Sequence, residues 1–317
     1  MKRSLRVLLI VATTMLGAWS CTGSTGQKLT FANPGSDWWT SAPTIVASAN
    51  KAFENARLDL SVADVSSGLA SKNAVAAGTA DIGLTAATPL ALAASHNEPI
   101  VVIGTYLRSN LVVGVAVPAG SPAAGIPPSP IAVVPGTISE WYLYSLLAKQ
   151  GLESDFIDSK FARLEVRPPD VVASVSGGSA KSAVIWEPFL TMLKRQPGVE
   201  VRRDPSIQEV RLFLVTRPDV IASKRAELTR FIRAFDDSCR FIREHSAEAK
   251  GIVERHYGFD SEMMADAWPS VTYGLEQNVE DMKAAIRREA NIALRLKRIA
   301  AIPSLDYLFP ANTPTVR

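Results

Sequence analysis

The sequence predicts an α/β protein of two similar lobes, each a mainly parallel sheet flanked by helices, joined by a two-strand hinge. Two stretches one hundred residues apart carry this prediction, 78–85 (GTADIGLT) and 178–185 (GSAKSAVI). Each follows a helical run rich in small residues, turns on glycine and enters a short apolar strand. Alternating strands and helices favour parallel sheets covered on both faces. Two such lobes predict a protein that closes on a small molecule.

Composition and charge are those of an ordinary globular protein. The chain has 317 residues, 47% hydrophobic and 21% charged, with a formal net charge of +3. Lys2, Arg3 and Arg6 account for that excess, and the 31 basic residues that follow them balance the 31 acidic ones. Nucleic-acid binding needs a clustered basic face. The sequence shows no such cluster, so we expect no nucleic-acid partner.

Residues 1–20 have the order of a secretory signal, with a basic start, an apolar run and small residues before a cleavage site. The apolar run, Val7 to Trp19, has thirteen residues, whereas a helix that spans a bilayer needs roughly 20. We therefore predict export to the periplasm or the outer face of the cell membrane. Residues 21–28 are rich in small polar residues and predict a flexible tether.

Cys21 lies where a lipoprotein signal places its lipidated cysteine, which favours a lipid anchor. The match is imperfect because Trp19 is bulky, and Ala18 with Ser20 would also suit ordinary signal peptidase. The other cysteine, Cys239, falls in a helical stretch and is most simply a small buried hydrophobic residue. A Cys21–Cys239 disulfide is the less favoured alternative.

The first half of the mature chain alternates between strands and helices. Strands are predicted at 29–32, 58–65, 82–85 and 100–105, helices at 43–55 and 88–96, and a further helix from the turn at 66–68 to Ala77. Residues 33–40 are predicted as a loop at the end of the first strand. In α/β sheets ligands lie beyond the carboxyl ends of strands, where helices begin.

The second half repeats this pattern after a proline-rich crossover at 119–130. Strands are predicted at 131–134, 162–166, 183–185, 199–203 and 209–216, helices at 141–150, 169–174 and from Lys224 onward, and an extended tail at 302–317. Two interdomain strands, near 112–117 and 212–216, make the second lobe an insertion. The predicted division is 29–113 with 212–317 for lobe 1 and 114–211 for lobe 2.

Three motifs resemble a known family. Residues 76–83 (AAGTADIG), the helix start Pro135-Gly136-Thr137 and residues 185–189 (IWEPF) are similar to the substrate-binding proteins of bacterial ABC importers for nitrate, sulfonates including taurine, and thiamine-pyrimidine precursors. The resemblance runs from about Leu29 to Arg195 and more weakly to about His256. It implies a bilobal periplasmic-binding-protein type II fold, a monomer that passes a small-molecule ligand to an ABC permease and its ATPase. Lys181, Asp37 and the pair Ala52-Phe53 depart from the family pattern.

The loop after the first strand holds the first candidate ligand residues, Ser36, Asp37, Trp38 and Trp39. Indole rings and a hydroxyl supply the apolar walls and aimed polar groups that a buried ligand needs. Asp37 has the charge to pair with a ligand amine, beside an indole that contributes a cation–π contact of roughly 0.5–2 kcal/mol. The alternative is that one tryptophan packs beneath the loop.

Three predicted helix starts supply further candidates. They are Ser66, Ser67 and Gly68; Thr85, Ala86 and Thr88; and Gly136, Thr137 and Ser139. Helix starts expose unpaired N–H groups and favour an anion by perhaps 0.3–2 kcal/mol each, so several must converge on one ligand. Simple N-capping without a ligand is the alternative for each.

The second-lobe strand ends in Trp186 and Glu187, which the resemblance places at the cleft. Trp186 is expected to cap the ligand, and Glu187 to contact it or to bond across the closed lobes. Arg108 is a candidate countercharge for an anion, with a surface role as its alternative.

Catalytic chemistry finds no support in the sequence. His96, His245 and His256 are far apart, and no metal-ligand spacing, phosphate-binding loop or nucleophile elbow is present. We therefore predict no catalytic residues, cofactor or metal, and a small organic anion, sulfonate-like, carboxylate or aromatic, as ligand. The alternatives are a cytosolic type of enzyme on the same fold, as in menaquinone or thiamine pathways, and a binding module that feeds a surface receptor.

Overall fold

The structure is a computed structural model that describes residues 26–122, 126–152 and 162–316. The predicted signal, Cys21 and most of the tether lie outside these residues. The strands are β1 (Leu29–Asn33), β2 (Leu60–Asp64), β3 (Ile82–Ala86), β4 (Val101–Ser109), β5 (Val113–Pro118), β6 (Ile131–Val133), β7 (Arg163–Glu165), β8 (Ser182–Trp186), β9 (Val199–Arg202), β10 (Val210–Thr216) and β11 (Thr272–Glu276).

Helices connect and cover these strands. They are α1 (Trp38–Ala49), α2 (Ala52–Asn55), α3 (Gly68–Ala76), α4 (Ala87–Ser95), α5 (Ile138–Lys149), α6 (Asp170–Ser176), α7 (Phe189–Lys194), α8 (Pro218–Ser223), α9 (Arg225–Glu244), α10 (Ser246–Tyr257) and α11 (Val279–Arg295), with 3-10 turns at Trp268–Ser270 and Asp306–Leu308. The region after Lys224, predicted to be helical, also contains β11. None of the helices in the described ranges has the length and apolar character that a bilayer crossing requires.

Two sheets organise the fold. The first has six strands in the order β11-β4-β10-β3-β1-β2, and the second has five in the order β7-β6-β8-β5-β9. The chain passes from the first sheet to the second between β4 and β5 and returns between β9 and β10. We call each sheet with its packed helices a lobe; the exact lobe boundaries remain a prediction.

The two-sheet α/β class is confirmed, but the prediction of mainly parallel sheets is wrong. Pairs β1–β2, β1–β3, β6–β7 and β6–β8 are parallel, whereas the pairs made by β5, β10 and β11 are antiparallel. The crossings explain two of these strands. Both β5 and β10 enter their sheets from the side facing the other lobe, where the carboxyl ends of the neighbouring strands lie, so they run in the opposite direction.

Both faces of the first sheet are buried. Along β10, Leu212 and Leu214 enter one core cluster, while Phe213 and Val215 enter a second. This alternation follows from the two-residue period of a strand. The first cluster also holds Cys239, whose buried thiol is free among the described residues and has a pKa raised by burial. The sheet is therefore a rigid base for the loops at its strand ends.

The first helix begins at Trp38, five residues before the predicted start at Pro43, so Pro43 lies inside it. A proline there cannot donate to the carbonyl four residues earlier, which belongs to Trp39. The Tyr273 hydroxyl donates to that carbonyl instead, at 2.9 Å. The early start turns the predicted loop residues Trp38 and Trp39 into the first turn of a helix, which decides where their side chains point.

Candidate functional site

A small cavity lies between the two lobes. It has a volume of about 30 Å³, on a scale where one ordered water takes roughly 10–15 Å³. The first lobe lines it with Pro34, Asp37, Trp39, Thr40, Ser67, Gly68, Leu69, Leu84, Thr85, Ala86, Pro89, Tyr106 and Leu212, and the second with Thr137, Ile138 and Trp186. Because both lobes contribute, the cavity is a site of the closed protein.

Four helices begin at this cavity. The residues that precede them, Asp37 before α1, Ser67 before α3, Ala86 before α4 and Thr137 before α5, all line it. The first N–H groups of a helix have no partner within it, and its N-terminus carries a partial positive charge. Four starts, three from the first lobe and one from the second, thus place the positive ends of their helices around a cavity whose exposed lining is mainly apolar.

Two of these starts are capped in the usual way. The Ser67 hydroxyl accepts from the backbone N–H of Ala70 at 3.2 Å, and the Thr137 hydroxyl accepts from that of Ser139 at 3.2 Å. Asp37 differs, because its side chain makes no cap to its own helix. Its carboxylate faces the other lobe instead.

Two indoles cross between the lobes in opposite directions. The Trp186 Nε1 of the second lobe donates to Oδ1 of Asp37 at 2.9 Å. The Trp39 Nε1 of the first lobe donates to the backbone carbonyl of Glu187 at 2.8 Å. Both rings are buried and line the cavity. Both bonds therefore require the two lobes to be in contact. Each tryptophan lines the cavity and also donates a hydrogen bond to the opposite lobe.

Asp37 is the charged group of the cavity. It is 2% exposed, and no lysine, arginine or histidine is among the lining residues. Burial raises the pKa of the Asp37 carboxyl from 3.8 to about 7, against the opposing effect of hydrogen bonds from Trp186 and Ser36. The carboxyl therefore changes protonation near neutral pH, inside a cavity whose helix starts favour an anion.

Thr85 supplies an unused polar group. Its side chain is 1% exposed and lines the cavity, and its Oγ1 has no hydrogen-bond partner among the described residues. A buried hydroxyl without a partner costs roughly 1–3 kcal/mol. The Thr137 hydroxyl, in contrast, donates to the Val134 carbonyl at 2.7 Å. Thr85 is thus the lining hydroxyl best placed to bond a bound solute.

The structure brings together at the cavity about half of the predicted site residues, namely Asp37, Trp39, Ser67, Gly68, Thr85, Ala86, Thr137 and Trp186. The others lie outside its lining. Trp38 packs in the core with its ring 5.6 Å from that of Trp268. This agrees with the alternative that one of the two tryptophans is a packing residue. Ser66 is on the outer surface, and the Ser36 hydroxyl donates to the Ser66 carbonyl at 3.3 Å.

Three more predicted residues have structural partners. The Thr88 hydroxyl donates to buried Glu289 at 2.9 Å. Gly136, at a positive φ of 68°, donates its N–H to Glu140 at 2.9 Å. The Ser139 hydroxyl donates to the Val184 carbonyl at 2.5 Å. Each stabilises a helix or strand close to the cavity without lining it.

Glu187 contributes its backbone, not its carboxylate, to the lobe interface. Its side chain is fully buried and accepts from the Thr191 backbone N–H at 3.1 Å, from the Thr191 hydroxyl at 3.0 Å and from Arg203. Burial raises the pKa of this carboxyl, and the Arg203 charge opposes that rise. The predicted bond across the lobes is therefore present, but through the carbonyl.

Arg108 is not a lining residue. It pairs with Glu276 and with Asp281, the latter at 2.7 Å, in agreement with its surface alternative. Among the described residues, no group of His, Cys, Asp and Glu is arranged to hold a metal ion.

Sequence reasoning missed several lining residues, most clearly Tyr106 and Ile138. Tyr106 lies within β4 and donates its hydroxyl to the Thr40 carbonyl at 3.1 Å. Ile138 is the first residue of α5, directly after Thr137. Ile138 could have been predicted from the helix start at Thr137. Nothing in the sequence distinguishes Tyr106 from other aromatic residues within a strand.

The geometry defines a class, a two-lobed α/β protein with helix starts from both lobes around an interlobe cavity. A family model described as NMT1/THI5 like matches residues 38–249. The chain therefore belongs to the NMT1/THI5-like family. A comparison with curated protein sequences gives no match.

Solved structures show the same fold at low identity. The periplasmic aliphatic sulphonate binding protein SsuA from Escherichia coli has 16% identity and a TM-score of 0.73, over 92% of this chain and 94% of that one. The alkanesulfonate-binding protein SsuA from Xanthomonas axonopodis pv. citri, bound to MOPS, has 13% identity and a TM-score of 0.71, over 91% and 96%. The periplasmic nitrate-binding protein NrtA from Synechocystis has 15% identity and a TM-score of 0.64, over 90% and 84%.

Proposed function

We propose that this protein is the exported solute-binding component of an ABC importer, which captures a small organic anion between its lobes and delivers it to a permease. One observation carries the proposal. Four helix starts from both lobes border one interlobe cavity, whose lining residues Trp39 and Trp186 also bond across the lobes. A site of this kind binds and encloses a solute.

The helix starts support an anion, sulfonate-like or carboxylate, since each contributes N–H donors and a favourable dipole. The similar structures named above are sulfonate- and nitrate-binding proteins, which agrees with this choice. Trp39 and Trp186 add flat apolar walls, which suit an aromatic or alkyl part of the solute.

Closure supplies the signal for delivery. A solute that contacts both lobes binds the closed form more tightly than the open one, so it shifts the population toward closure. The closed monomer is then the form that the permease and its ATPase recognise. In this role the protein needs no cofactor.

Export and anchoring complete the proposal. The signal at 1–20 directs the protein across the cell membrane, and lipidation of Cys21 holds it at the outer face. Labelling with a radioactive fatty acid, in cells that express the full chain or Cys21→Ala, tests the anchor. Label in the full chain but not in the variant supports it; an unlabelled, soluble mature protein contradicts it.

Binding is favoured over an enzyme on the same fold. Among the lining residues Asp37 is the one carboxyl group and no histidine, lysine or cysteine accompanies it, so a paired general acid and base is not assembled there. Adjacency of the gene to permease and ATPase genes distinguishes an importer from a module that feeds a surface receptor.

The direct test is thermal unfolding of the mature protein with sulfonates, nitrate, carboxylates, pyrimidines and aromatic acids. A solute present at 100 times its Kd stabilises the folded state by about 2.7 kcal/mol. A clear rise in the unfolding temperature with one small anion supports the proposal. Turnover of any of these compounds by the purified protein would instead favour the enzyme.

A further inference from the structure

Gly26 and Gln27 lie on a helix of the first lobe. Gly26 is so close to Arg230 and Glu227 of α9 that a Cβ at position 26 would meet both side chains at 2.8 Å. The backbone N–H of Gln27 donates to the Glu227 carboxylate at 3.3 Å, and its side chain donates to the carbonyl of the last residue of α8 at 2.8 Å. These contacts fix where the chain enters the lobe.

The proposed lipid anchor lies a short distance away along the chain. Five peptide steps separate Cys21 from Gly26, and a chain spans at most about 3.6 Å per residue. In the anchored protein, the part of the first lobe around Gly26 therefore stays within about 18 Å of the bilayer surface. The inference below rests on the proposed function in this respect, since it takes the anchor at Cys21 as given.

The surface around Gly26 is basic. Lys28 is exposed, and its carbonyl accepts from Lys224 at 2.9 Å, which holds it beside α9. Arg225 is exposed and donates to a backbone carbonyl, a neutral acceptor that leaves its charge in place. Arg233 is also exposed, three residues after the arginine that touches Gly26 and so beside it on the helix. We call Lys28, Arg225 and Arg233 the anchor face.

The acidic groups near the anchor face are already paired. Glu227 is buried and pairs with Arg230 at 3.5 Å. Asp81 is buried and pairs with Lys224 at 2.9 Å. These two carboxylates therefore offset the charges of their own partners and leave those of the anchor face.

Charge is unevenly distributed along α9. Its first ten residues carry three arginines and one glutamate, whereas its last ten carry two arginines and three acidic residues. The positive half is the one that contacts Gly26. Before β2, the exposed Arg57 and Asp59 have opposite charges and leave this excess unchanged.

Positive charge beside a short lipid tether matches an anionic bilayer. We propose that the anchor face binds the headgroups of anionic lipids and holds the first lobe against the membrane. A basic side chain within a Debye length of such a surface, about 8–10 Å, strengthens binding by about fivefold. The tether supplies the proximity that this short range requires.

The anchor face lies at the end of the first lobe away from the cavity. Lys28 precedes β1, whereas the cavity residues Pro34 and Asp37 follow it. A strand of five residues is about 16 Å long. Binding through the anchor face therefore directs the cleft away from the lipid and leaves it open to the medium for solute capture.

The first experiment measures the anchor face without the lipid. The mature protein with Cys21→Ala is mixed with phosphatidylcholine vesicles, either plain or with about 30% phosphatidylglycerol, and bound protein is measured by sedimentation. At low salt the partition onto anionic vesicles is expected to exceed that onto neutral ones by at least about tenfold. In about 0.5 M NaCl the two should become equal. Equal partition at low salt overturns the inference.

Matched variants locate the attraction. Lys28→Gln, Arg225→Gln and Arg233→Gln, combined, are expected to bring the anionic partition to within about threefold of the neutral one. The control makes the same change at three exposed basic residues on other elements, Lys181, Arg255 and Arg287. It should keep the preference for anionic vesicles, and both variants should unfold at the wild-type temperature. An equal loss in both variants assigns the attraction to net charge and overturns the inference.

The second experiment uses the lipidated protein, reconstituted into the same two kinds of vesicle. An amine reagent that does not cross the bilayer is expected to modify Lys28 at least about threefold more slowly on anionic vesicles than on neutral ones. Lys181 should react at the same rate on both. Equal rates at Lys28 overturn the inference.

These outcomes are separate from solute binding. If fatty-acid labelling shows no lipid at Cys21, the partition experiment alone decides whether the anchor face binds lipid. The thermal-unfolding panel tests the cleft in either case, so the proposed function stands or fails independently of the anchor face.

Discussion

The Trp186 indole of the second lobe donates to the Asp37 carboxylate of the first at 2.9 Å. Trp39, two residues after Asp37, returns a bond of 2.8 Å to the carbonyl of Glu187, the residue after Trp186. Each short segment thus holds the other through one donor and one acceptor. We call these two hydrogen bonds the clasp, and we expect the closed cleft to depend on both of them.

Removal of one indole donor should loosen closure. Trp186→Phe keeps an aromatic wall but leaves the buried Oδ1 of Asp37 without its principal donor, which costs roughly 1–3 kcal/mol. We expect a lower free energy of unfolding and a larger radius of gyration in small-angle scattering. Trp39→Phe should act in the same direction. Trp268→Phe, which loses a bond to Ser246 within the first lobe, is the control and should not expand the protein.

Equal radii for the wild type and for both cleft variants would show that closure does not depend on the clasp. In that case the interlobe ion pairs would be the principal contacts. The pair of Arg195 with Asp260, at 2.6 Å, and the pair of Lys194 with Asp266, also at 2.6 Å, join the same two lobes. They are more exposed, so added salt would weaken them far more than the buried indole bonds.

Asp37 should make stability depend on pH. Its pKa is raised in the folded protein, from 3.8 to about 7, so its contribution is fully present below the unfolded value and is lost as the pH rises through about 7. Relative to Asp37→Asn, the wild type should therefore lose roughly 2–3 kcal/mol of unfolding free energy between pH 5 and pH 8. Urea denaturation of both proteins across this range measures the difference. Parallel curves would contradict the raised pKa.

Thr85 offers a way to separate stability from binding. Thr85→Val replaces a buried hydroxyl that has no partner in the described part of the chain with a methyl group of similar size, so stability should stay within about 1 kcal/mol or increase. Affinity for the anion that the thermal-unfolding panel identifies should fall by about three- to tenfold. Thr105→Val removes another buried hydroxyl without a partner, outside the cavity lining, and should leave affinity unchanged. An identical affinity loss in both variants would assign the effect to the scaffold.

The buried ion pair behind Trp186 should be sensitive to the loss of one partner. Arg203→Met leaves the buried Glu187 carboxylate without its countercharge, and we expect a loss of roughly 3 kcal/mol of unfolding free energy. The exposed pair of Arg240 with Asp237 provides the control, because Arg240→Met should cost less than about 0.5 kcal/mol.

A second substitution tests the reason for that loss. Adding Glu187→Gln to Arg203→Met removes the unpaired charge, and the amide can still accept from the Thr191 backbone N–H. Stability should then recover by about half or more relative to the single variant. If the two losses simply add, the charge of Glu187 is not what makes Arg203 important.

The sequence predicted the cleft through its strand ends and helix starts, which are local features. Asp37, Ser67, Thr85 and Thr137 follow directly from this reasoning. It could not decide between Trp38 and Trp39, because successive residues of a helix differ in direction by about 100° and the loop was expected to run to Thr40. Had the helix been predicted to begin after Asp37, the sequence would have indicated that the rings of Trp38 and Trp39 point in different directions.

Long-range partners account for the other differences. The carboxylate of Glu187 turns away from the cleft because Arg203, sixteen residues later, reaches it from the end of β9. Tyr106 lies at an irregularity of the β4–β10 pairing, since Leu107 pairs with Leu212 and Thr105 with Phe213, and β10 is more than one hundred residues along the chain. Neither partner is indicated by spacing or periodicity. The same holds for the antiparallel entry of β5 and β10, which depends on how the lobes face each other.

The position of β10 has a consequence for the order in which the chain folds. β10 lies between β3 and β4 in the first sheet, although residues 210–216 follow the whole of the second sheet in sequence. On the proposed export route the chain emerges amino terminus first, so β5 to β9 are complete while β3 and β4 still lack their shared neighbour. Domains tend to fold as units. The inserted lobe can therefore fold first. The first sheet is completed only when β10, about one hundred residues after β4, becomes available.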